Sequence, residues 1–105
     1  MESITVQEKK TTIVIDLLEK KIVAQGHTRP DVCSSITTAM YLLNYMAHEY
    51  KALPLNGFKT NYDGHIELKF RSTYHNKKIL KIAQNFFKDL QESYSDFINI
   101  KIIGG

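Results

Sequence analysis

The chain has 105 residues, of which 43% are hydrophobic and 24% charged, with a net charge of +3. This composition is typical of a globular protein rather than a disordered one, and the length fits a single domain over residues 1–105. The small positive excess is expected of a solvated surface, so we do not expect nucleic acid as the main partner.

The chain begins with elements that predict a β-hairpin. The segment Thr11–Leu18 is rich in β-branched residues and predicts a strand, followed by a polar turn. Residues 22–24 predict a short return strand that ends in Gly26 and His27. Residues 3–8 are compatible with either another strand or an N-terminal extension.

A helix is predicted to follow this hairpin. Pro30 disfavours helical conformation in the residue before it, and Asp31 is a good N-cap. From Val32 the apolar residues fall three or four positions apart, and we expect the helix to end near Lys51 because Pro54 follows. Its predicted core positions are Val32, Ile36, Ala39, Met40, Leu43 and Ala47.

The second half of the chain predicts another hairpin, a second helix and a closing strand. Apolar residues alternate on both sides of Asp63-Gly64, which predicts a second hairpin. A helix is predicted from about Asn76 to Ser93, and Phe97–Ile103 predicts a closing strand. The order ββαββαβ predicts an α+β two-layer sandwich with a mostly antiparallel sheet and two long helices on one face. The predicted apolar stripe of the second helix is Ile79, Ile82, Ala83, Phe86 and Leu90.

Features that would place the protein in a membrane or outside the cell are missing from the sequence. No apolar run approaches the roughly 18 residues that span a bilayer. The N-terminus lacks the pattern of a signal peptide. The single cysteine cannot form an internal disulfide. We therefore expect a cytoplasmic protein with no membrane partner.

The only cysteine is the best candidate for chemistry. With Asp31 as cap, Cys33 would be the second residue of the helix, among backbone N–H groups that have no intrahelical partner. These donors and the helix dipole favour a thiolate, and they could hold a developing oxyanion.

His27 lies six residues before Cys33, at a predicted strand end. A cysteine and a histidine so placed form the minimal nucleophile–base pair of a cysteine protease. The alternative is a buried, inert Cys33 and a surface His27. A half-exposed sulfur with His27 in reach would favour catalysis, and a buried sulfur with His27 pointing away would favour the alternative.

The segment 26–39, GHTRPDVCSSITTA, resembles the signature of the ribosomal-processing cysteine protease (Prp) family. That family has Gly-His at a strand end and, after a loop, Asp-Ile-Val-Cys at a helix start. The predicted order of the other elements also agrees with the family. This sequence has a shorter step between His27 and Cys33, has Thr28 where the family has Ala, and has Asp31 two rather than three residues before the cysteine.

The resemblance implies Cys33 as the nucleophile and His27 as its general base. Asp31 would be the family's acidic residue, Thr37 stands where the family has Ser, and Gly26 belongs to the same motif. The implied activity is a cysteine endopeptidase that removes the N-terminal extension of a ribosomal large-subunit protein precursor during ribosome assembly. Family members cut after an aromatic residue, are typically homodimers and use no cofactor. The alternative is an inactive Prp-like module that binds a ribosomal protein or an assembly partner.

Three other histidines and two tyrosines are further candidates for function. His48, His65 and His75 belong to different predicted elements and make no recognised ligand spacing, so we predict no metal site. Tyr41 and Tyr45 lie four apart on the first helix. They are expected in the core or at a dimer surface, with a contact to substrate as the alternative.

Overall fold

Five strands and two helices make up the part of the chain that the computed structural model describes, residues 10–49, 58–61, 64–71 and 74–104. The order ββαββαβ is the predicted one. The possible strand at 3–8, the helix end near Lys51, and Tyr62 and Asp63 of the predicted hairpin lie outside these residues. The elements are β1 (Thr11–Asp16), β2 (Lys21–Gln25), α1 (Pro30–Glu49), β3 (Phe58–Asn61), β4 (His65–Lys69), α2 (Tyr74–Ser93) and β5 (Ile98–Ile103).

The strands form one mixed sheet in the order β3-β4-β2-β1-β5. Three of its pairings are antiparallel, and β1 pairs with β5 in parallel. Alternate strand residues such as Ile13, Ile15 and Ile22 are fully buried and face the helices. Because α1 packs on β4, and α2 packs on β1 and β5, both helices cover the same face. The predicted α+β two-layer sandwich is therefore confirmed.

β1 ends at Asp16, two residues earlier than predicted. The Oδ1 atom of Asp16 accepts hydrogen bonds from the backbone N–H groups of Leu18 (3.0 Å) and Glu19 (2.9 Å). This side chain therefore closes an Asx-type turn, in which Lys20 has a φ of 57°. Leu18, predicted as the last strand residue, is 69% exposed beside the turn.

α1 begins at Pro30 rather than at Val32. The N–H of Cys33 donates to the carbonyl oxygen of Arg29 at 2.9 Å, which makes Arg29 the N-cap residue. Pro30 then occupies the first helical position, where its missing N–H loses no hydrogen bond. The prediction of Asp31 as N-cap was wrong, and Cys33 is the fourth residue of the helix instead of the second.

The buried side of α2 is rotated relative to the predicted stripe. Ile79 and Ala83 are buried as predicted, and Leu90 packs against the core. Leu80 and Phe87 are buried as well, whereas Ile82 is 52% exposed and Phe86 is 44% exposed. The rings of Phe86 and Phe87 meet edge to face, with centroids 5.3 Å apart. The apolar residues of α2 thus extend beyond the buried side, and Ile82 and Phe86 lie at the edge next to α1.

A groove of about 520 Å³ runs between α1 and α2. Leu42, which is 60% exposed, lines it from α1, and Ile82 and Phe86 line it from α2. Tyr41 and Tyr45 are also exposed, so neither belongs to the core. The full lining is Ser34, Ser35, Thr38, Ala39, Leu42, Leu43, Met46, Ile82, Ala83 and Phe86.

Candidate active site

The β2–α1 connection, residues 26–29, starts with a glycine that the backbone requires. Gly26 has a φ of +101°, and a Cβ atom there would lie 3.0 Å from the carbonyl oxygen of Lys10. Its N–H donates to the carbonyl oxygen of Gly64 at 2.9 Å, and its own carbonyl accepts a hydrogen bond from Thr11 Oγ1 at 3.3 Å. These contacts fix the point from which the chain leaves the sheet towards His27.

His27 is exposed, and its imidazole lies against Gly64, the residue before β4. A Cβ atom built on Gly64 would be 2.8 Å from both Cε1 and Nε2 of His27. Gly64 has a φ of +73° as well, so the position favours glycine for its backbone and for the space that the ring occupies. The ring of His27 is thus positioned by an element distant in sequence.

Cys33 is half-buried, and its sulfur contacts the backbone of Thr28. The N–H of Thr28 donates to Sγ at 3.2 Å, and Sγ donates to the carbonyl oxygen of Thr28 at 3.5 Å. Within the described part of the chain, no hydrogen bond joins His27 to Cys33. The structure therefore brings the predicted nucleophile and base to one short connection without pairing them.

The backbone donors at the start of α1 are already engaged. The N–H of Cys33 is bonded to Arg29, and Pro30 has no N–H. The carboxylate of Asp31 accepts from the N–H of Val32. In this form the N–H of Cys33 is therefore not free, which differs from the expectation of free N–H groups around the thiol.

Asp31 forms a two-point ion pair with Arg29. Nε of Arg29 donates to Oδ1 at 2.7 Å, and Nη2 donates to Oδ2 at 2.8 Å. These hydrogen bonds hold the pKa of Asp31 below its usual value, and the positive charge of Arg29 and the backbone N–H groups of Val32 and Asp31 act in the same direction.

The guanidinium of Arg29 also packs on aromatic rings. It lies 4.7 Å from the ring centroid of Phe97 and 5.9 Å from that of Tyr94. Both rings belong to residues 94–97, the α2–β5 connection. Arg29 thus connects the N-terminus of α1 with the residues that follow the C-terminus of α2. Sequence reasoning missed this role. The only local signal is the Arg-Pro-Asp triplet, which places two opposite charges around a proline.

Polar groups continue along the side of α1 that carries Cys33. Thr37, one turn further, is half-buried on that side, and Asn44 follows on the same side. Among the described residues, Asn44 Oδ1 and Thr28 Oγ1 are buried without a hydrogen-bond partner, which is uncommon for polar atoms. Neither residue was predicted for the site; the replacement of the family's Ala by Thr28 was the one available signal.

Among the residues that the structure describes, no group of three or more His, Cys, Asp or Glu side chains could hold a metal ion. His65 Nε2 lies 3.6 Å from Glu67 Oε1, with both side chains on strand β4. Neither described helix is long and apolar enough to cross a membrane.

The described chain is thus a two-layer α+β domain with a cysteine and a histidine at a strand-to-helix junction. No protein-family model and no curated protein matches it. Its fold is also found in solved structures. One is the essential ribosomal processing protease Prp from S. aureus, in complex with a covalently linked product peptide, with a TM-score of 0.68, 17% identity, and coverage of 88% of this chain and 98% of that chain.

The second solved structure is SMU.848 from Streptococcus mutans, with a TM-score of 0.58 and 15% identity. That match covers 92% of this chain and 95% of the other. Identities this low show the fold alone. The resemblance to Prp, which the sequence carries in residues 26–39, is therefore confirmed as a shared fold.

Proposed function

We propose that this protein is a cytoplasmic cysteine endopeptidase of the Prp type. It removes the N-terminal extension of a ribosomal large-subunit protein precursor during ribosome assembly. The observation that supports it is the joint position of Cys33 and His27 on the β2–α1 junction, in a fold shared with the S. aureus ribosomal processing protease.

The proposed reaction is acyl transfer to sulfur. His27 takes the proton of Cys33, and the thiolate adds to the peptide carbonyl to form a tetrahedral intermediate. The C–N bond then breaks as His27 gives that proton to the leaving amine, which leaves a thioester on Cys33. Water, deprotonated by His27, attacks the thioester, and the C–S bond breaks to release the acid and return the proton to the sulfur. No step requires a metal or a cofactor.

The proposed reaction requires a rearrangement of the β2–α1 connection. In the described form the sulfur is bonded to Thr28, and the ring of His27 lies on Gly64. Catalytic hydrogen bonds are often long or misaligned before substrate binds. We propose that the precursor peptide separates Cys33 from the carbonyl of Thr28 and brings His27 within hydrogen-bond distance of the sulfur.

The remaining site residues have supporting roles in this proposal. Gly26 sets the direction in which the chain leaves β2, and Asp31 neutralises Arg29 at the start of the helix. Thr37 lies on the side of α1 that carries Cys33, one helical turn further along.

A homodimer is also part of the proposal. The large apolar side chains that the fold leaves exposed at the groove, Leu42, Ile82 and Phe86, support it. Sedimentation velocity is expected to give twice the chain mass of 12.1 kDa at micromolar concentration. The mass of a single chain at every concentration would contradict the dimer.

A catalytically inactive Prp-like module is the second candidate. It would bind the same ribosomal precursor or an assembly partner without cutting it. The observation that favours it is the pairing of the Cys33 sulfur with Thr28 in place of His27.

Cleavage of the precursor separates the two candidates. We expect the protein to cut a peptide that spans the precursor junction, after an aromatic residue. Cys33→Ala should show only background cleavage, and His27→Ala should be slower by roughly 100- to 10,000-fold. If the protein and Cys33→Ala both fail on a peptide that the S. aureus enzyme cuts, the protease proposal is wrong. Tight binding of that uncut peptide would then support the inactive module.

A further inference from the structure

We propose that Arg29 is a positioning residue that holds the backbone of Thr28 against the Cys33 sulfur and thereby sets the reactivity of this thiol. The proposal rests on the proposed function in taking Cys33 as the nucleophile. It concerns a residue that the family resemblance does not assign. Reactivity of the thiol can be measured without any cleavage, so the two proposals fail separately.

The side chain of Arg29 makes two contacts at the same time. Its Nε and Nη2 atoms bind both carboxylate oxygens of Asp31, and its Cζ atom lies over the ring of Phe97. The ion pair is largely exposed, so alone it would hold the connection weakly. The combination fixes the orientation of the guanidinium, because a planar fork satisfies both contacts in one arrangement. A lysine ammonium cannot reproduce it.

The backbone next to this side chain surrounds Cys33. The carbonyl oxygen of Arg29 accepts the N–H of Cys33, and the preceding residue, Thr28, contacts Sγ through both its N–H and its carbonyl oxygen. Pro30 restricts the chain on the other side. A shift of Arg29 would therefore move the groups that hold the sulfur.

The N–H of Thr28 is the contact that matters for reactivity. It can remain bonded when the sulfur carries a negative charge, whereas the S–H contact to the carbonyl is lost on ionisation. A donor to the ionised form favours that form, and the thiolate is the nucleophile. Loss of the Arg29 contacts should therefore disturb this hydrogen bond and slow the reaction of the sulfur with an electrophile at low pH.

Charged groups near Cys33 must be considered in reading such a pH profile. On the β2–α1 connection and the start of α1 these are His27, Arg29 and Asp31, of which the last two neutralise each other. On β4, His65 and Glu67 alternate with the helix-facing Leu68, so they lie on the sheet face away from α1. The variants must accordingly separate the charge of Arg29 from its geometry.

Alkylation with iodoacetamide tests the proposal, because Cys33 is the only cysteine and the label reports it alone. The rate is measured from pH 5.5 to 9.5 on the full chain and on Arg29→Lys, Arg29→Met and Phe97→Leu. Each rate is divided by that variant's own rate at pH 9.5, which removes differences in access to the sulfur. Circular dichroism verifies that each variant is folded.

We expect the normalised rate at pH 6 to fall by about 3- to 10-fold in both Arg29→Lys and Arg29→Met, as for loss of one hydrogen bond. Phe97→Leu, which keeps the ion pair, should fall by a smaller factor. An unchanged profile in Arg29→Lys with a reduced one in Arg29→Met would show that charge acts, and would overturn the proposal. Unchanged profiles in all three variants would overturn it as well.

Discussion

One side of α1 carries Cys33, Thr37 and Asn44, whereas the opposite side faces α2 across the groove and carries Leu42 and Met46. Cys33, Thr37 and Asn44 are half-buried, although the fully buried Met40 lies on the helix between the last two. Leu42 is exposed and Met46 is half-buried at the groove. The two sides of the helix thus differ in what they contact. Changes on the first side should alter the sulfur or His27, and changes on the second should act through stability and association.

The largest effect is expected for the matched pair Phe87→Ala and Phe86→Ala on α2. Phe87 is fully buried, so its truncation should lower the free energy of unfolding by about 3–5 kcal/mol. Phe86 is 44% exposed at the groove, so its truncation should cost less than about 1.5 kcal/mol. Urea denaturation of both variants at low protein concentration measures the difference. Equal losses would mean that the groove is covered in solution.

An intermediate effect is expected for Gly64→Ala, because the ring of His27 lies against this residue. The positive φ alone should cost about 1–2 kcal/mol, and the new Cβ atom would displace the ring of His27. The imidazole proton resonances of His27 should shift, which NMR detects. Gly104→Ala is the matched control, because Gly104 has a φ of +80° and its nearest neighbour is Leu18. Unchanged His27 resonances in Gly64→Ala would contradict the described position of the ring.

The smallest effect is expected for Asp31→Asn. Arg29 lowers the pKa of Asp31 in the folded protein from 3.8, so the ionised carboxylate stabilises the fold above that pH. This contribution is lost as the pH falls through the lowered folded-state pKa. Because the pair is exposed, the difference in thermal midpoint between the protein and Asp31→Asn should be small at pH 7 and smaller still at pH 2.5. A difference that does not change with pH would contradict the ion pair.

Element order was predictable because it depends on local periodicity. The alternation around Gly64 predicted the β3–β4 hairpin, and the spacing of Val32, Ile36 and Met40 predicted the buried side of α1. The orientation of α2 was not predictable in the same way. Its apolar residues cover more than one side, and which side is buried depends on where α1 lies, so Phe86 was assigned to the core in place of Phe87.

The location of the candidate site was predictable, but the contacts within it were not. The sequence alone predicts that His27 and Cys33 lie at one strand-to-helix junction. The cap was misassigned because Asp31 has the right chemistry for an N-cap, but its carboxylate is held by Arg29, and Pro30 takes the first helical position. Contacts of this kind depend on the conformation of residues 26–29, which no periodic pattern encodes. For the same reason the contact between Thr28 and the sulfur could not be foreseen.

The parallel pairing of β1 with β5 has a consequence for how the protein is made. Thr11 pairs with Ile98, so most of the described chain must be synthesised before that edge of β1 is closed, whereas β2 can pair with β1 early. Until then β1 presents unpaired backbone groups. Phe97, the aromatic partner of Arg29, leaves the ribosome with the same segment. In a nascent chain, β5 and the aromatic ring that contacts Arg29 therefore become available at the same time. This happens near the end of translation of the described residues.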